Sequence, residues 1–346
     1  MPAAPSICAT GPVPATLGER PRWVAADTLR GVAVLLLVVY HVVGSNAQTG
    51  LRIGDGWLRQ WNDALAIVRM PLFALLAGWA HAQGRSRQVA PLPFAGRQAT
   101  RLLLPTLTVG TLFALLQSAT PQANGGTHDW WTLHLKPVAH FWFLEALFWV
   151  LLAVHLLDRA GAGASAWRLL GAWAAGAALS LLWVGPRWLG LDGALYLLPY
   201  ALMGAALSHP HWAARLHERR TRGWAWLVGL PCLALLWPLP PDPDRRQPAM
   251  LLASTCLCLL LMARQPRQAH LAWLGRQAYA LFLFHPFFTA AARIAFGRWP
   301  GLPLAVQVVG GVAAGVAGSV LLATVLRRWG WTRLLLLGQA SSPARA

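Results

Sequence analysis

Apolar runs of membrane-crossing length recur from near the start of this chain to near its end, separated by short loops that carry arginine. About 20 apolar residues span the hydrocarbon core of a bilayer, and shorter runs are tolerated inside a bundle. Ten such runs can be read, over residues 31–44, 64–82, 102–118, 141–157, 169–184, 194–207, 224–237, 249–263, 271–292 and 304–326. In lipid every backbone polar group must be satisfied within its own segment, which leaves helices for runs of this length. The expected fold is therefore all-α, a polytopic integral membrane bundle of about ten transmembrane helices. Neither an internal repeat nor a linker long enough to separate a second domain is visible. The expected division is a loose tail over 1–22, one membrane domain over 23–335 and a short tail over 336–346.

At 346 residues two soluble domains would fit, but 12% of the chain is charged and 56% hydrophobic, where soluble domains carry about a quarter charged residues. The formal charge of +18 raises nucleic acid as a partner. The basic residues are nevertheless scattered through loops, with no basic face interleaved with aromatics, and that class is set aside. Their distribution instead tests the topology. With the N-terminus inside, twenty basic residues fall in inside loops and eight outside, alternating at every loop. This bias predicts both termini in the cytoplasm.

Cys8, Cys232, Cys256 and Cys258 show neither a disulfide framework nor zinc-site spacing, so no metal is expected. The first 22 residues lack the apolar core of a cleaved signal peptide, and the first span should act as an uncleaved anchor. Arginine-rich, lysine-poor usage points to a GC-rich bacterial genome and so to the inner membrane.

Polar residues inside the spans are costly and mark function. Arg30 opens the first span and His41 lies near its far end. Eleven positions at ~100° each are about three turns, so both leave one face roughly 16 Å apart. Surface snorkelling by Arg30 and an interfacial His41 are the plainer reading. Arg69 lies near the outer end of the second span, followed by Pro71, and His285 in the outer half of the ninth, followed by Pro286. Each proline frees the carbonyl four residues back, Ile67 and Phe282, and irregular backbone at membrane depth is tolerated where it lines a cavity. In the fourth span His140 stands at the mouth and Glu145 about one and a half turns inward. Glu145 needs a partner, for which Arg69 and His41 are at the right depth, or else faces a polar vestibule as a neutral acid. Arg97 and Arg101, four apart, could join Arg30 in an inner cluster suited to phosphates.

Together these segments resemble the acyltransferase-3 family of membrane acyltransferases, from about Trp23 to Leu326. The resemblance rests on Arg30 and His41 in the first span, preceded by Asp27. It continues through Arg69, Pro71, Leu72, Phe73 and Gly78 in the second, and Arg97, Arg101 and Pro105 in the third. His140, Trp142, Phe143 and Leu144 carry it in the fourth, Gly275 and His285 in the ninth. Ala77, Ala278 and Phe282 replace residues that are commonly hydroxyl-bearing in the family, and Glu145 stands where an aromatic or apolar residue is usual.

The resemblance implies transfer of an acyl group, commonly acetyl, from cytoplasmic acyl-CoA to a hydroxyl of a cell-envelope glycan, exopolysaccharide or lipid-linked sugar, with no permanently bound cofactor. Arg30, Arg97 and Arg101 would hold the CoA phosphates. His41 would act as general base or as a transient acyl carrier, Arg69 would stabilise the oxyanion or anchor an anionic acceptor, Glu145 would orient His41, and His285 would contact acceptor or thioester. A transporter or flippase of a glycan or acylated lipid is the rival from another class, since intramembrane Arg, His and Glu on proline-broken helices also mark transport paths. An inactive relative serving as an assembly partner is a third.

Overall fold

The computed structural model describes residues 21–46, 48–121, 123, 128–183, 185–237 and 246–340. It is 79% helical, with no strand among the described residues. Cys8, Arg20, Arg245, Arg345 and almost all of the expected N-terminal tail lie outside them.

All ten expected runs are helical. α1 (Pro21–Val43) leads to the short α2 (Trp57–Ala64), a break at Leu65, and α3 (Ala66–Gln83). Next come α4 (Pro91–Gln98), α5 (Leu104–Ala119), α6 (Trp142–Arg159), α7 (Ala166–Leu182), α8 (Leu191–Leu207) and the short α9 (Pro210–Leu216). Then follow α10 (Arg219–Leu235), α11 (Pro248–Arg264), α12 (Ala269–Arg276), α13 (Ala278–Phe296), α14 (Leu304–Leu326) and α15 (Gly330–Leu337). The ninth expected run is thus two helices parted at Gln277, and the third starts earlier, at α4. Among the described residues seven segments are long and apolar enough to cross a bilayer, while α7 and α11 are apolar helices of 17 residues. α10 is equally short and opens on Arg219, Arg220 and Arg222. The expected C-terminal tail begins inside α15, whose Leu337 is buried.

Lipid tails are as apolar as leucine, so close packing rather than hydrophobic burial must hold such helices together. Two glycine crossings do this at the centre of the bundle. A Cβ on Gly31 of α1 would overlap the Leu271 carbonyl of α12, and one on Gly275 of α12 would overlap the Asp27 carbonyl of α1. Between α3 and α8 the same reciprocity joins Gly78 to the Ala201 carbonyl and Gly204 to that of Leu75. α1 also packs on α3, α13 and α14. It runs from one end of the bundle, marked by Arg30, to the other, marked by His41, where α3 brings Arg69 and α13 brings His285.

Candidate active site

His41 and His285 meet. His285 Nε2 lies 3.1 Å from His41 Nδ1, with ring centroids 4.6 Å apart. Their protonation follows from the acceptors around them. His285 Nδ1 faces the carbonyls of Leu281 (2.6 Å) and Phe282 (3.1 Å), and carbonyls only accept, so Nδ1 carries the proton. Pro286 explains the second of these bonds, because it has no N–H to give Phe282. His285 Nε2 is then an acceptor. His41 Nδ1, which also lies 3.0 Å from the Leu37 carbonyl, must donate. This leaves His41 Nε2 as the lone-pair nitrogen, on a ring that lines a cavity of about 590 Å³. His285 is fully buried behind it and is not part of the cavity wall.

Arg69 lines the same cavity. Its guanidinium carbon stands 4.0 Å from the centre of the Tyr40 ring, a cation–π contact. Its Nη1 donates to Asn62 Oδ1 at 3.3 Å, and Asn62 Nδ2 in turn donates to the Gly44 carbonyl at 3.2 Å. The break at Leu65 makes this possible, because α2 can fold Asn62 back beside the head of α3. Asp63, also on the wall, faces Arg59 at 4.0 Å.

His140 is the cavity residue that sequence reasoning left out of the site. Its ring lies 5.6 Å from that of His41 and 5.4 Å from that of His285. Its Nε2 is buried with no hydrogen-bond partner, and its ring lies 5.3 Å from that of Phe282. A third histidine at this depth was a readable signal, since His140 directly precedes a Phe-Trp-Phe-Leu stretch.

Glu145 does not join this group. Phe143 packs against Phe73 of α3 and Phe282 of α13, with centroids at 5.8 and 5.3 Å. Two residues on, ~200° round the helix, Glu145 points the other way, with its Cβ against Gly190 at the entry to α8. Its Oε2 is buried without a hydrogen-bond partner. The expected pairing with Arg69 or His41 is therefore replaced by His285, which takes the position beside His41. Glu145→Gln should accordingly change kcat/KM by less than about threefold, under ~0.7 kcal/mol, in an acyl-transfer assay on reconstituted protein.

At the opposite end Arg30 pairs with Asp27 at 2.6 Å and feels the charge of Arg101. Arg97 and Arg101 are exposed. Pro105 cannot donate to the Arg101 carbonyl, and the Tyr279 hydroxyl of α13 donates to it instead, across a π-type turn over Ala99–Leu103. Nearby, Arg87 donates to both Asp158 oxygens (2.8 and 2.6 Å), a bond that raises its pKa. Along α1 the cavity wall stops at Leu37, about 10 Å short of Arg30. Packing of Val34, Leu281 and Phe73 fills the interval.

A helical membrane bundle with a buried histidine pair opening on a cavity is the frame on which the family comparison falls. The family model described as an acyltransferase domain matches residues 23–324, nearly the whole chain. The protein belongs to the acyltransferase-3 family and is a membrane acyltransferase. A comparison with curated proteins finds no match.

Proposed function

We propose that the protein transfers an acyl group, in the simplest case acetyl, from cytoplasmic acyl-CoA to a hydroxyl of an envelope glycan or lipid-linked sugar, in a bacterial inner membrane. The observation that carries this reading is the hydrogen-bonded pair His285–His41, which leaves one lone-pair nitrogen directed at the cavity. His41 Nε2 takes the proton of the acceptor hydroxyl as its oxygen attacks the thioester carbonyl. The C–S bond then breaks, and the imidazolium returns the proton to the departing thiolate. A positioned imidazole that takes up and gives back a proton in this way is worth about 10²- to 10⁴-fold. Arg69 supports the negative charge on the carbonyl oxygen in a site of low dielectric. Arg30 and Arg101, with Arg97 one turn earlier, supply positive charge for the donor's phosphates at the other end. The thioester reaches His41 when Val34, Phe73 and Leu281 part.

Full-length protein in nanodiscs, given acyl-labelled CoA and a panel of glycans, tests this. Label on the acceptor together with free thiol is the expected result. Acceptor movement across a bilayer without thiol release would favour a transporter. In the same assay His285→Ala should lower kcat by about tenfold, the worth of one hydrogen bond to a group that becomes charged. The loss is limited because the Leu37 carbonyl still holds His41 Nδ1. His285→Gln, which can offer an acceptor oxygen to the same N–H, should recover part of it.

A further inference from the structure

α10 and α11 press together at mid-length and part at one end. A Cβ on Gly229 of α10 would come within 2.9 Å of the Cys256 Cβ of α11, and Ala225 packs with Cys256 and Leu260. At Gly223, about 9 Å back along α10, an added Cβ would meet nothing within 4 Å. The gap is an open groove of about 550 Å³, lined by Arg219, Arg222 and Trp226 of α10 and by Leu260 and Arg264 of α11. Spacings of three and four residues put each set on one face of its helix. None of these residues borders the His41 cavity.

Three guanidinium groups thus share one groove. Among the described residues no carboxylate pairs with Arg219, Arg222 or Arg264. Glu218, the N-cap of α10, makes no side-chain bond to the helix. Arg30 and Arg87, by contrast, are each held by an aspartate. The start of α10 adds the positive end of its dipole.

The groove lies at the Arg30 end of the bundle, because Met262 and Gln265 of α11 border a small cavity with Ala25 and Leu29 of α1. Loop charge assigns that end to the cytoplasm. Further along α10, Trp226, Leu227 and Leu230 are 44%, 62% and 52% exposed. Arginines beneath an exposed apolar strip, with tryptophan at the border, match a phospholipid at the membrane boundary. A soluble phosphate would leave the strip unused.

We propose that this groove binds the phosphate of an anionic glycerophospholipid of the inner leaflet, with its chains lying along Leu227 and Leu230. Guanidinium groups suit phosphate through paired parallel N–H bonds.

Native mass spectrometry of the full-length protein in detergent, titrated with phosphatidylglycerol or phosphatidylcholine of identical chains, tests it. Phosphatidylglycerol should bind about tenfold more tightly. Arg222→Gln combined with Arg264→Gln should bring the two lipids to within about twofold. Gly223→Leu keeps every charge but fills the groove, and should also remove most of the preference. The space at Gly223 and the better helix propensity of leucine make that variant compatible with the fold, so it decides the matter if the arginine variant does not fold. Arg159→Gln, at an exposed arginine of the same end on α6, should leave the preference unchanged. The proposal is overturned if wild type shows no preference, or if the preference survives the paired arginine substitutions or Gly223→Leu. It is overturned equally if Arg159→Gln lowers the preference as far, which would mean general surface charge. Displacement of phosphatidylglycerol by CoA or inorganic phosphate would also overturn it, by making the ligand a soluble phosphate. Lipid binding needs neither donor nor acceptor, so the result stands apart from the acyl-transfer reading.

Discussion

His41→Ala should reduce acyl transfer by about 10²- to 10⁴-fold, the usual contribution of a positioned general base, with the acceptor still bound. The expectation is specific to the lone-pair nitrogen. His41 Nδ1 is occupied by the Leu37 carbonyl and His285 Nε2, so proton uptake falls to Nε2, and no neighbour can substitute without moving. His285 has its Nδ1 committed to Leu281 and Phe282 and its Nε2 to His41. His140 is the nearest alternative, but its ring lies 5.6 Å from that of His41 on a different helix entry. The fold should tolerate the change, because His41 lies two residues from the end of α1 and borders open volume rather than packed core. Stopped assays with labelled acyl-CoA on wild type and variant would check the rate, and binding of an acceptor without donor would show that the cavity is intact. The same preparation separates base from acyl carrier. Label that stays on wild-type protein after denaturation in the absence of acceptor, and is missing from His41→Ala, would assign a covalent histidine intermediate. Normal transfer by His41→Ala would refute both.

What could be read in advance divides along a physical line. Depth was legible, because apolar run length and loop charge fix where each residue lies along a span. His41, Arg69 and His285 were placed at one level on that basis, and the structure puts His41 and Arg69 on one cavity with His285 behind. The prolines were legible too, since a missing N–H frees a known carbonyl. Phe282 indeed receives the imidazole of His285. Angular position was not legible. Glu145 was at the right depth to serve His41, yet which face of α6 meets α3 and α13 is decided by Phe143 packing between them. That information lies in the partner helices and not in the spacing of α6 itself. A run of 14 to 17 apolar residues reads alike whether it crosses a bilayer or stays within the bundle, and among the described residues seven segments have full membrane length.

The second large effect concerns the helix crossing that sets the two histidines in register. Gly275→Val should prevent recovery of folded protein, or leave a bundle that no longer transfers. Any Cβ at Gly275 would overlap the Asp27 carbonyl and press on the Gly31 backbone N–H. Gly31, across the crossing, meets Leu271 in the same way. Both obstacles are backbone, so no side-chain rotation relieves them. Overpacking a well-filled core costs about 1–3 kcal/mol when side chains can shift, and here a whole helix must shift instead. That helix is α1, which carries His41, while α12 leads within two residues into α13, which carries His285. Backing α1 away from α12 by even 1 Å would stretch the 3.1 Å His285–His41 contact beyond hydrogen-bonding range. The fitting control is Gly171→Ala on α7, where an added Cβ meets nothing within 4 Å. Alanine is the better helix former by roughly 1 kcal/mol, so this variant should melt at or slightly above the wild-type temperature. Monodisperse yield and thermal melting in detergent, read side by side for the two variants, decide the matter. Wild-type yield, melting and transfer for Gly275→Val would mean that the α1–α12 crossing is looser than its geometry demands, and that the register of His41 and His285 is set elsewhere.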